Sequence, residues 1–194
     1  RIILTDVDGV LFEWENHFTK WMLQRHYYTD KGEKVYPYKL LPNKENTYEM
    51  AERFGLTKFQ IRKEIREFNK SAWMANQEPM PDCVQWVKLL HAEGWTFIPI
   101  TSQTSDLPAQ ALRKRRLAEV FGQDVFRNYH ILETGADKDK VLEEFKDTEE
   151  VLSCFSYLSL LTVASASSSS SISSGFSPDK NFSRSAARSA LILA

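Results

Sequence analysis

The chain of 194 residues has only two cysteines, Cys83 and Cys154. They cannot build a disulfide framework, and with no CxxC pair they give no zinc-site spacing. The four histidines, His17, His26, His91 and His130, share no metal-ligand spacing and read as structural or surface groups. An excess of charge of either sign is also lacking. Lys and Arg total 25 against 26 Asp and Glu, for a net charge of -1. That balance argues against a protein that wraps nucleic acid, though not against a small basic pocket. Arg1-Ile2-Ile3-Leu4 runs straight into acidic residues, so no secretory signal is expected and the expected location is the cytoplasm. Val151 to Ala166 is uncharged, but its serines and the absence of flanking basic residues argue against a membrane span.

What is present divides into two unlike parts. Residues 1–150 contain Ser71, Ser102 and Ser105 as their only serines, whereas residues 151–194 contain fifteen. No charge occurs between Val151 and Pro178, and Ser167 to Ser171 is an unbroken serine run without hydrophobic period. A shift this abrupt marks a domain boundary or a low-complexity segment. The expectation is an atypical tail over 151–194, non-native or disordered, and function is sought in 1–150.

Within 1–150 apolar strands alternate with helical periods. Ile2-Ile3-Leu4 reads as a buried strand stopped by a turn at Gly9. Helical spacing follows over Phe12 to Tyr28, carried by Trp14, Phe18, Trp21 and Met22. Thr29 to Lys44 is polar and turn-rich. Tyr48 to Phe54 predicts a short helix closed by Gly55. Thr57 with Gln60 forms a capping box for a helix carrying Phe59, Ile61, Ile65 and Phe68. Pro81-Asp82 opens a helix with Val84, Val87 and Leu90 on one face and Gly94 after it. Thr96 to Ile100 predicts a second strand, in which Pro99 is awkward for a central position. Leu107 to Phe121 predicts a helix whose basic run Arg113 to Arg116 reads as a solvated face. Tyr129 to Leu132 predicts a third strand and Asp137 to Lys146 a last helix. Trp14, Trp21, Trp73 and Trp86 are expected in packing. The order predicts an α/β fold, a doubly wound parallel sheet with a helical block inserted after the first strand.

In such a sheet, ligands bind beyond the carboxyl ends of the strands. Asp6 and Asp8 follow the first strand, Thr101 and Ser102 end the second, and Lys138 and Lys140 follow the third. Two carboxylates, a hydroxyl and an ammonium on one rim suit a phosphate and a magnesium ion. One carboxylate can attack phosphorus, and the other can protonate the leaving oxygen and later activate water. The hydroxyl and ammonium can hold the phosphoryl oxygens. Gly9 and Ser102 are further phosphate-binding candidates. Trp14 and His17 lie close enough in sequence to reach a substrate.

Asp6-Val7-Asp8-Gly9-Val10-Leu11 resembles the first motif of the haloacid dehalogenase (HAD) superfamily. Phe97 to Ser102 resembles its second motif, and Gly135-Ala136-Asp137-Lys138-Asp139 its third, a lysine at a helix start. The resemblance covers about residues 1–150 and is nearest to small phosphatases of the 5′-nucleotidase-like type. It implies a HAD-like Rossmannoid core over 1–13 and 78–150 and a helical cap over 14–77. It implies Asp6 as nucleophile, Asp8 as general acid/base, Thr101 as phosphate ligand and Lys138, with Lys140 as its rival, as charge stabiliser. Asp6 and the main-chain carbonyl of Asp8 would hold Mg2+. The implied reaction is magnesium-dependent hydrolysis of a small phosphomonoester, such as a nucleotide, through an aspartyl-phosphate. The fourth motif of the family, an acidic pair after the next strand, is missing. If Leu158 to Ala164 forms that strand it ends in Ser165, and the one acid further on is Asp179 in serine-rich surroundings. The alternatives are therefore a HAD-like binding protein with impaired turnover, a chain read out of frame in its tail, or an interaction protein acting through that tail.

Overall fold

In the computed structural model, residues 1–148 and 151–154 are described. The fold is α/β. β1 (Ile2–Thr5), β4 (Thr96–Ser102), β5 (His130–Leu132) and β6 (Val151–Cys154) form a parallel sheet in the order β5-β4-β1-β6. By order of appearance the strands thus run third, second, first, fourth. This is the arrangement of a doubly wound sheet, whose ligand crevice opens at the switch between the first strand and the fourth. α4 (Cys83–Ala92) and α5 (Leu107–Phe121) cover the sheet through Val87, Leu90, Leu117 and Phe121, which pack with Ile3, Phe97 and Cys154. α6 (Asp139–Glu143) places Val141 against Leu4, Ile98 and Ile100.

β6 carries the sheet four residues past the point where composition changes. Its register, Ile2 with Val151 and Thr5 with Cys154, occupies the free edge of β1. With β4 on one side and β6 on the other, β1 has no room for a further neighbour. The segment Leu158 to Ala164 lies outside the described residues, as does Ser165. The residues that follow β6 in the sequence are Phe155 and Ser156.

Pro99 sits in a central strand, contrary to the usual confinement of proline to edges. The ladder shows why it is tolerated. Phe97 exchanges bonds with Val125 and Arg127, so the nitrogen of Pro99, two residues on, faces the same neighbour. There the pairing is interrupted between the Phe97–Phe126 bridge and the Ile100–His130 pair, with Asn128 at a φ of 50°. The missing N–H falls in that gap.

Between β1 and α4 the chain makes a helical insertion. α1 (Trp14–Gln24) is shorter than its apolar period, because Tyr27–Tyr28 (β2) pairs with Lys34–Val35 (β3) in a small hairpin. α2 (Met50–Phe54) ends at Gly55 in the left-handed region, with φ 63°. α3 (Lys58–Asn69) begins with the complete Thr57–Gln60 capping box. Phe18, Met22, Phe54, Ile61, Phe68 and Met74 form a core of their own. Phe59 instead stands 75% exposed. Where the insertion leaves and rejoins the sheet layer, the two crossings run side by side: Glu13 N–H donates to Glu78 O, and Met80 N–H to Leu11 O.

Candidate active site

Asp6 follows β1 at the switch point. Its amide donates to Cys154 O at 3.1 Å, which holds the end of β6 against it. One carboxylate oxygen accepts from Val7 N–H at 2.7 Å and the other pairs with Lys138 Nζ at 2.5 Å. Two residues on, Asp8 Oδ1 accepts from the Arg113 guanidinium at 2.6 Å. Burial pushes the Asp8 carboxyl above its ordinary value. The Arg113 charge opposes this, and the nearby Asp6 carboxylate adds to it. Asp8 therefore retains its proton to higher pH than a free aspartate.

The turn after Asp8 explains its glycine. Gly9 has φ 75°, and a Cβ there would meet nothing within 4 Å, so backbone conformation rather than space demands glycine. The Gly9 amide is engaged in that turn, donating to Phe12 O at 2.9 Å.

Lys138 owes its place to the loop after β5. Ser102 Oγ, at the end of β4, donates to Ala136 O at 2.6 Å, and Gly135 turns the chain at φ 77°. Lys138 is the residue before α6, and its carbonyl accepts from Val141 and Leu142. The Ser102 proton is thus spent on holding the loop and is not available to a phosphoryl oxygen. Lys138, and not Lys140, is the lysine brought to Asp6. Thr101 has a different character: it is 1% exposed, and its hydroxyl has no hydrogen-bond partner among the described residues.

Trp14 and His17 stand in the packing of the insertion. The Trp14 indole N–H donates to Asn69 Oδ1 at 3.3 Å, and its ring stacks on Phe18 at 4.9 Å. His17 Nε2 accepts from Glu78 N–H at 3.0 Å. A neutral ring bonded this way carries its proton on Nδ1, which is buried without a partner among the described residues. Neither residue is bonded to Asp6 or Asp8. His17 lines an open hollow of about 320 Å³ with Ala72, Trp73 and Asn76.

Arg113 and Gln77 belong to the site and were not read from the sequence. The expectation of a solvated basic face fails at Arg113, which is fully buried. Ala109, Arg113, Leu117 and Phe121 repeat at intervals of four on the buried side of α5. That spacing was the available signal, masked by the neighbouring charges. Arg113 Nη1 donates to Gln77 Oε1 at 2.7 Å, while Arg116 binds the Gln77 carbonyl.

The donor set can be compared with magnesium, which takes oxygen ligands in near-octahedral geometry and keeps several waters. The Asp6 carboxylate and Asp8 carbonyl are oxygens of the right kind. Among the described residues no three His, Cys, Asp or Glu side chains form a metal-binding group. No family model matches the chain, and neither does any curated protein. Among the described residues no helix is long and apolar enough to cross a membrane.

Proposed function

We propose that the chain is a HAD-type phosphohydrolase acting on a small phosphomonoester such as a nucleotide, with the insertion over 14–77 as its cap. The observation that carries this reading is the placement of the Asp6 carboxylate on Lys138 at 2.5 Å, with Asp8 two residues on, at the switch point of the sheet. The Asp6 carboxylate forms a bond to phosphorus as the bond from phosphorus to the leaving oxygen breaks. The Asp8 proton passes to that leaving oxygen. Water then attacks the aspartyl-phosphate and gives its proton to Asp8, which releases phosphate and restores both carboxyls. Lys138 and the Thr101 hydroxyl bind the phosphoryl oxygens, where charge is spread during transfer. Mg2+ held by Asp6 and the Asp8 carbonyl would neutralise part of the phosphate charge and orient it toward Asp6.

The test is release of inorganic phosphate from 4-nitrophenyl phosphate and nucleoside monophosphates, with and without magnesium. Magnesium-stimulated release that disappears in Asp6→Asn supports the reading, and no release from any of them rejects it. A second reading, a HAD-like protein that binds phosphate without turnover, rests on the sequence after β6, where Phe155 and Ser156 offer no acid. It is favoured if calorimetry detects phosphate binding in a chain that releases none.

A further inference from the structure

Arg113 is an unusual residue to find where it is. Its side chain is 0% exposed and reaches Asp8 at 2.6 Å across 105 positions of sequence. Burying an arginine is costly unless its donors are met. Here Nη1 is met by Gln77 Oε1 at 2.7 Å, and Nη2 by Asp8 Oδ1 and by Met74 Sδ at 3.2 Å, while Nε is buried without a partner among the described residues. Gln77 is itself fully buried and is fixed through its carbonyl by Arg116 at 2.8 and 3.0 Å. The Phe12 ring lies 5.7 Å from the guanidinium carbon. A chain of fixed groups thus runs from the end of the insertion, through α5, to one oxygen of Asp8.

The chemistry of that contact decides where a proton on Asp8 must sit. A guanidinium only donates, so the oxygen it binds stays an acceptor. A proton on the Asp8 carboxyl is therefore confined to Oδ2, which takes no hydrogen bond among the described residues. We infer that Arg113, held by Gln77, is a positioning residue that fixes the Asp8 carboxyl with its protonated oxygen free for the leaving group. The inference rests on the reading of Asp8 as the proton donor in phosphoester hydrolysis. Arg113 touches no reacting atom and acts through Asp8.

A residue that merely supports the fold lowers turnover of all esters alike. A residue that orients the acid does not. An alkyl phosphate needs its leaving oxygen protonated, whereas 4-nitrophenolate departs with little help. Arg113→Met removes the donors while keeping an apolar side chain of comparable length. In the full chain with magnesium, its loss of kcat on an alkyl phosphate should exceed its loss on 4-nitrophenyl phosphate by about tenfold or more, within the range of general acid catalysis. KM should change little for either. Arg113→Lys, which restores one cationic donor, should recover part of the alkyl-phosphate rate. Equal losses on the two esters, or no loss, would overturn the inference. If Arg113→Met does not fold, as judged by near-UV circular dichroism, Gln77→Met takes its place. It leaves the Arg113–Asp8 contact in place but removes the Gln77 anchor on Nη1, and it should show the same selective loss to a smaller degree; an unselective effect there overturns the inference equally. A wild type inert toward both esters rejects the phosphatase reading and this inference together, whereas an active wild type with unselective variants rejects this inference alone.

Discussion

Asp6 is bonded through both carboxylate oxygens, one to Val7 N–H and one to Lys138. An amide at this position cannot attack phosphorus and loses the charge that pairs with the lysine. Asp6→Asn should therefore abolish phosphate release while leaving the far-UV spectrum unchanged; wild-type release from the variant would remove Asp6 from the nucleophile role. Asp8→Ala should spare 4-nitrophenyl phosphate relative to an alkyl phosphate, for the leaving-group reason given above. His17 supplies a prediction independent of catalysis. Burial, aided by the charge of Lys20, lowers its pKa from the ordinary 6.5. The unfolded chain thus binds this proton more readily than the folded one, so stability is full above pH 6.5 and falls as pH drops toward the lowered folded value. His17→Gln keeps an acceptor for Glu78 N–H without the titration. The unfolding free energy of wild type should decline more than that of His17→Gln between pH 7.5 and 5.5; parallel declines would show that His17 does not titrate this way.

At the scale of elements, the ends of strands and helices carry most of the specific contacts. The Thr57–Gln60 box satisfies the start of α3 in both directions, with Thr57 N–H donating to Gln60 Oε1 at 2.9 Å and Gln60 N–H to Thr57 Oγ1 at 3.3 Å. Thr57→Ala should cost about 1 kcal/mol of stability, read from urea unfolding. The end of β6 matters to the proposed metal site. Cys154 O accepts from the amide of Asp6, and the residues that follow Cys154 in sequence are Phe155 and Ser156. Restoring an acid there should supply the anionic ligand that the set lacks. Calorimetric titration of magnesium should show tighter binding in Phe155→Asp or Ser156→Asp than in wild type. Tight binding to wild type would mean that another acid, Asp179, Asp137 or Asp139, completes the site.

The described residues hold three hydrophobic clusters, one on each face of the sheet and one inside the insertion, and buried polar groups join the insertion core to the sheet core. Asn69 Nδ2 donates to Gln103 O at 2.8 Å, and Gln103 Nε2 returns a bond to Asn69 O at 3.2 Å. Thr134 Oγ1 donates to the same Gln103 carbonyl. The end of α3 is thereby tied to the loop that leaves β4, close to Thr101. Buried groups stripped of a partner cost about 1–3 kcal/mol each. Asn69→Ala should lower global stability by about 2 kcal/mol in denaturant unfolding; a change below a few tenths would show that the two cores are not coupled through this pair.

The sequence by itself determined whatever depends on near neighbours. The apolar run of β1, the positive-φ turn at Gly9, the left-handed Gly55 and the capping box at Thr57 are set within a few residues, and each was legible there. Asp6 and Asp8 were legible for the same reason: a strand end and a turn place both at one edge. The third-motif resemblance points to Lys138 with Lys140 as its rival, and the loop pinned by Ser102 to Ala136 brings Lys138 to Asp6. Other features were decided by contacts between distant segments. β2 and β3 are two-residue strands, too short for any period to register. β6 lies in the serine-rich composition of the tail and becomes a strand because β1 offers it an unpaired edge. Arg113 reads as one charge in a basic run, and its burial depends on Asp8 and Gln77, 105 and 36 positions away. A charged side chain can enter a core only where the fold brings it its partners, and no local pattern contains that information.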